Sequence, residues 1–317
     1  GRDAEVRNVR LVNPVVESTN TIKIGSLVGW LRLGILRNCY VEGGRVSGWT
    51  HVGGLVGRSG ALYSLEGSIQ AQIVNCGANA TVAGQWGIGG LVGTNGESAK
   101  VAYCYADGAI SAVGGDTGGL VGTNRLGVIV NSRAGGIVVG KQSGGLVGRN
   151  LRGTVQRSFS TASVQGDTEV GGLVGFNYGT IVDCYAIAAV NGRDKVGGLA
   201  GHNGYKYIDP DGEDVGADVG TISNCYSASS VSGTQNVGGL VGYNEIGAVA
   251  TSFWDVAASG LPARPGGAGK TTAEMQMAST FLNAGWDFVG EVENGTEDIW
   301  WIDEGKDYPR LSWEQVE

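Results

Sequence analysis

Glycine fills 59 of 317 positions without a Gly-X-Y period, which excludes collagen, while an apolar share of 42% is enough to build a core. The net charge of −8, with only 16% charged residues, excludes an electrostatic nucleic-acid partner, because phosphate binding needs a basic surface. No apolar run approaches the roughly 20 residues of a membrane helix, so no membrane span is expected.

The chain opens at Gly1 inside a strand-like pattern and reads as mature or trimmed. Val6, Val9 and Leu11 already resemble the apolar strand of a repeat unit. From there a phrase Gly-(Gly/Ser)-Leu-(Val/Ala)-Gly recurs, its leucines at Leu27, Leu55, Leu91, Leu120, Leu146, Leu173, Leu199 and Leu240. The base period is 26 to 28 residues, stretched by insertions around 61–70 and 205–220. Three short strands are predicted in each unit. The first is the glycine-leucine phrase itself. The second carries Leu36, Ile73, Val101, Ile129, Val155, Ile181, Ile222 or Val249, and the third carries Val46, Val82, Ile110, Val138, Val164, Val190 or Val231. A unit of this length cannot bury its apolar positions alone, whereas stacked units pair each strand with its own copy. The pattern predicts an all-β, parallel β-solenoid of eight or nine coils over residues 1–255, with a C-terminal cap over 256–317.

The residues of this phrase, GGLVGFNYGTIVDCYA and GGLVGYNEIGAVATSFWD among them, resemble the GLUG motif, a repeat of large bacterial surface and secreted proteins. The resemblance covers about residues 20 to 255. It implies a right-handed β-helix, an extracellular or cell-surface setting and a structural or adhesive role. It carries no catalytic residues, so no enzyme is expected.

Several registers imitate sites. Cys39, Cys76, Cys104, Cys184 and Cys225 share one register, filled elsewhere by Ser132, Ser158 and Ser252. One cysteine per coil is not the pairing of a zinc site, and the reading is a column of small buried free thiols. One place later stand Tyr40, Tyr105, Phe159, Tyr185, Tyr226 and Phe253, either packing between coils or a stacking platform for sugars. Asn95, Asn124, Asn150, Asn177, Asn203 and Asn244 read as a turn ladder whose amides bond the backbone and each other. Only two histidines exist, His51 and His202, far apart in the repeat order. Acidic residues concentrate in the 209–218 insertion and the tail rather than in a ladder across adjacent coils. Within that insertion Asp209, Asp211 and Asp214 bracket a glycine as calcium ligands do, without EF-hand spacing, and the main expectation is no cofactor.

Beyond Thr251 the repeat breaks. GGAGKTT lacks the first glycine of a phosphate loop, since Arg264 holds that place, so Thr271 or Thr272 is read as the cap of a short helix. Three strand-like pieces rich in tryptophan follow. A solenoid end is an open sheet edge, which such a tail can cover. The expected partners are a second copy, stacked head to tail into a filament, or a surface glycan or protein. The alternatives are a carbohydrate-binding or carbohydrate-processing β-helix, or the non-catalytic arm of a larger enzyme.

Overall fold

A computed structural model describes residues 4–61, 71–208, 214–262 and 266–316. The chain winds into a parallel β-solenoid with four faces. The first face has eight strands, from Ile22–Gly25 to Gln235–Gly238. The second has fifteen and holds two rows, one led by Val28–Leu31 and one by Glu5–Arg7. The third has ten, from Arg10–Val12 to Ala268–Lys270, and the fourth eight, from Val15–Glu17 to Ser230–Ser232. A coil therefore holds five strand segments rather than three.

The glycine-leucine phrase is not a strand, in contrast to the expectation above. It is the corner where the first face turns into the second. A Cβ on Gly53 would lie 2.1 Å from the Val56 carbonyl oxygen, and one on Gly57 would lie 2.3 Å from the Lys23 backbone. The two sheets thus touch backbone to backbone. Across the core, a Cβ on Gly54 would meet the next coil's Gly90 carbonyl at 2.2 Å and Ala78 of the third face at 3.1 Å. Glycine is required by contact distance here, not by an unusual φ. Leucine between these glycines points into the core, where Leu55, Leu91, Leu120, Leu146, Leu173 and Leu199 are fully buried, while Leu27 in the first corner is only partly so.

The apolar columns stack in register as the spacing predicts. Val6, Leu36, Ile73 and Val101 pair in sequence, and Val155, Ile181, Ile222 and Val249 continue the same column. Val46, Val82 and Ile110 run down the fourth face in the same way. Each buried aliphatic side chain adds about 1.5–3 kcal/mol of burial free energy, and its copy above and below supplies the contact.

Polar groups that the stack buries are satisfied by their copies. Asn95, Asn124, Asn150 and Asn177 are fully buried, and each amide donates to the side-chain oxygen of the next, at 2.8 to 2.9 Å. The same amides also reach backbone carbonyls such as Gly127 and Gly153. The cysteine register uses one device throughout. All five cysteines are buried free thiols. Cys104 donates to the Ala102 carbonyl, Ser132 to Val130 and Ser158 to Gln156. Meanwhile the Cys104 amide donates to Ser132 Oγ, and the Ser132 amide to Ser158 Oγ, both at 3.1 Å. Thiol and hydroxyl each donate once and accept once, so they interchange.

The tail does two jobs. Residues 253–262 and 266–270 close the core: Trp254 is buried at a third-face position that is Ala78, Ala106 or Ala134 in earlier coils. Ala268–Lys270 then adds the last strand of that face beside Phe253–Asp255. The remainder does not sit on the end. It lies along the outside of the third face, where Phe281, Trp286, Trp300 and Leu311 pack on Phe159, Tyr185, Tyr226 and Phe253. Thr271 caps the helix Thr272–Met275 in a reciprocal capping box with Glu274, and a second helix, Ala278–Leu282, follows.

The corner device predicts unequal effects of two small changes. Ser158→Cys keeps both hydrogen bonds and should change the unfolding free energy from urea titration by less than about 1 kcal/mol, whereas Ser158→Ala strands the buried Ser132 amide and should cost about 1–3 kcal/mol. Equal midpoints for the two variants would contradict the shared role of thiol and hydroxyl.

Candidate functional site

A dense set of titratable groups lies in the cleft between the first face and the first row of the second. Two ladders face each other across it. One is the residue four places before each corner leucine: Lys23, His51, Gly87, Asp116, Gln142, Glu169, Lys195 and Asn236. The other is the residue three places after it: Trp30, Arg58, Thr94, Thr123, Arg149, Phe176, His202 and Tyr243, paired coil to coil. Lys23, His51, Asp116, Glu169 and Lys195 take φ near +55°, which bends the strand and turns their side chains toward the second row.

His51 and His202 therefore belong to one cleft, on opposite walls, and Asp116 and Glu169 share one register two coils apart, with Gln142 between them. Sequence reasoning missed both points. His202 is buried, with Nδ1 3.2 Å from Glu169 Oε1 and Nε2 3.3 Å from Glu245 Oε2. Lys195 approaches the same Glu169 oxygen at 3.4 Å. Phe176 stacks on the His202 ring at 4.3 Å with planes 5° apart. One coil further, Arg149 pairs with Asp116 at 3.0 Å, and Thr123 donates to the other Asp116 oxygen. Gln142 bridges the two groups by donating to Glu169 and accepting from Arg149.

The electrostatics follow from burial and pairing. Burial pushes Glu169 up, but the hydrogen bond with His202 and the charges of Lys195 and His202 outweigh it, so its carboxyl sits below the ordinary range. Burial dominates at Asp116 and raises it, with Arg149 opposing. His51, whose Nδ1 lies 2.7 Å from Thr94 Oγ1, is pushed down to about 4, first by burial and then by Arg58 and Lys23. The ionic groups around Glu169 and Asp116 are thus engaged with one another. Among the described residues no group of three His, Cys, Asp or Glu is placed to hold a metal ion.

Of the calcium candidates, Asp209 and Asp211 lie outside the described residues. Asp214 opens the return strand of a hairpin, Tyr205–Ile208 with Asp214–Asp218, which forms the second insertion. The cysteine and leucine columns are interior, as described above. The aromatic column runs down the outer side of the third face and divides in two. Phe159, Tyr185 and Tyr226 stack at 4.8 and 5.0 Å and lie under the tail. Tyr40 and Tyr105 stand beyond it, 6.3 Å apart across Gly77.

The class these features define is a parallel β-solenoid whose coils pivot on a Gly-Gly-Leu corner. The GLUG motif model matches residues 84–111 and 166–191, so the array carries GLUG repeats. No curated protein matches the chain. Among solved structures, a proposed immunoglobulin A1 protease from Bacteroides ovatus is similar at 16% identity. The match covers 99% of this chain and 76% of that one, with a TM-score of 0.44. No helix among the described residues is long and apolar enough to cross a membrane.

His51 gives the cleft a pH signature. Its folded pKa of about 4 lies below the ordinary 6.5, so the unfolded chain binds the proton first, and stability is lost as pH falls between those values. His51→Asn, which tolerates the positive φ, should flatten that window in melting temperatures taken from pH 7 to pH 4. An unchanged pH slope in the variant would place the dependence elsewhere.

Proposed function

We propose that this chain is an extracellular, non-catalytic arm that holds and presents an adhesive surface. The observation that carries this reading is the unbroken stack itself. Eight corner leucines and the asparagine ladder bind successive coils into one rod, roughly 40 Å long at about 4.8 Å per coil. The interior is filled by its own side chains, and the charged cleft is occupied by its own ion pairs. A rigid body with long exposed faces suits spacing and attachment better than turnover. Its fourth face supports this, with Thr81, Ala83, Ser111, Ser163 and Ser232 among its residues and a cleft of about 610 Å³ walled by the helix Val256–Ser259.

Head-to-tail stacking into a filament has less support at the C-terminal end. There Trp254 fills the core, and a Cβ on Gly267 would meet Leu240 at 2.6 Å, so the tail already occupies the position a following coil would take. This reading calls for no cofactor and no nucleic acid. The family resemblance supports the extracellular setting.

Beads coated with the full chain, passed over immobilised mucin, matrix proteins, polysaccharides and the chain itself, test the adhesive reading. Retention on at least one surface, with no turnover of that surface, is the expected result. Beads that bind nothing, or release of soluble product, would overturn it.

A further inference from the structure

At the corner between the second and third faces, every coil places one residue at positive φ. Asn8, Asn38, Asn75, Asn131 and Asn224 hold that place in five coils, and Tyr103, Arg157, Asp183 and Thr251 in the other four, Tyr103 being the one aromatic. Asparagine suits it, because its short amide tolerates the left-handed region. Here the amides also form a ladder: Asn75 donates to Asn38, and Asn38 to Asn8, at 2.9 and 3.1 Å. Tyr103 breaks this ladder. It stands between Asn75 and Asn131 with φ of 55° and is 54% exposed. A bulky aromatic in this conformation is strained, and its ring gains nothing from the core.

Tyr103 lines a cleft of about 300 Å³ together with Asn75, Tyr105, Asn131, Arg133 and Trp313. The walls are fixed in advance. Trp313 belongs to the last turn of the tail; its indole donates to the Arg157 carbonyl at 2.9 Å, and its ring packs on Phe159. Arg133 lies over Tyr105 at 5.0 Å and forms two hydrogen bonds with Asp107, at 2.8 and 3.0 Å. The side-chain oxygen of Asn131 finds no donor among the described residues.

We infer that this cleft binds a neutral sugar residue of a polysaccharide. Three aromatic rings offer flat apolar surface, and two amides stand at the rim for hydroxyl groups, the mixture a small polar ring with an apolar face requires. The cleft is too small for a folded partner, and its one cation is already neutralised by Asp107, so it has no charge to attract an anion. The net charge of −8 disfavours acidic polymers further. The inference deepens the adhesive reading above by naming the ligand class.

The full chain, run in native gels cast with arabinoxylan, galactomannan, mixed-linkage β-glucan or dextran, tests this directly, with alginate as the acidic comparison. At least one neutral polysaccharide should retard the wild-type chain. Tyr103→Asn restores the ladder residue, so its melting temperature should hold or rise while retardation weakens more than tenfold. Trp313→Phe, which loses the indole anchor but keeps a ring, should weaken it several-fold. No retardation by any neutral polymer, retardation by alginate alone, or full retardation of a folded Tyr103→Asn chain would overturn the site. If no neutral polysaccharide retards the wild-type chain while its beads still adhere to another surface, the sugar site falls and the adhesive reading stands. If wild-type beads adhere to nothing, both readings fall.

Discussion

Parallel strands in register, about 4.8 Å apart, impose one rule on the whole molecule: whatever a coil does at a position, its neighbours must be able to do beside it. Apolar residues meet the rule by packing on their own copies. Polar residues meet it only if a group can donate on one side and accept on the other. The asparagine amide does so through its two ends. A thiol or hydroxyl does so by donating to its own carbonyl two residues back while accepting an amide from another coil. A buried carboxylate cannot, since it only accepts. This is why interior ladders are built of Asn, Ser and Cys.

The same rule fixes the glycines. A coil of 26 residues with five strand segments must turn within a few residues, and its cross-section at the corner is too thin for side chains on both walls. Glycines before and after each leucine let two backbones touch, while leucine alone reaches the core. Trp254 shows the converse. At the end of the stack only the short strand Ala268–Lys270, with Gly269 beside Trp254, follows on that face, and a tryptophan fits where alanine or serine stood before.

What could be read from the sequence was what repeats identically. The leucine column, the Val46 column, the asparagine ladder and the shared cysteine-serine register are legible because stacking demands the same residue type at one spacing. The five-segment coil was not legible, since a glycine-leucine corner and a short strand have similar composition. The cleft was missed for a sharper reason. Its two registers hold Lys23, His51, Asp116 and Glu169 on one wall and Trp30, Arg149, Phe176 and His202 on the other, so neither register keeps one residue type along its length. Each pairs across the cleft with a different chemical type, and the signal lay in fixed offsets from the leucine, not in identity. The tail's seat was hidden as well, because its partner surface is an outward column contributed by four coils: Phe159, Tyr185, Tyr226 and Phe253.

That seat shows how a repeat acquires a distinct place along its length. An array of equal coils presents equal faces and has no reason to bind at one level and not another. The tail breaks the symmetry by covering the aromatic column over its last coils. Tyr185 donates to Glu314, Tyr226 to the Pro309 carbonyl and Tyr308 to Asp255, while Trp286 donates to the Thr251 carbonyl. These bonds join residues far apart in sequence and fix where the tail stops. Its final turn ends beside the coils of Tyr105 and Arg133, and there Trp313 meets a register already interrupted by Tyr103. The one aromatic in the asparagine register and the last turn of the tail meet at a single level of the stack, while Arg157, Asp183 and Thr251 replace asparagine at other levels. Stacking penalises the first, and packing alone needs only the Trp313 contact with Phe159 from the second. Their meeting is what the uniform part of the sequence has no means to produce.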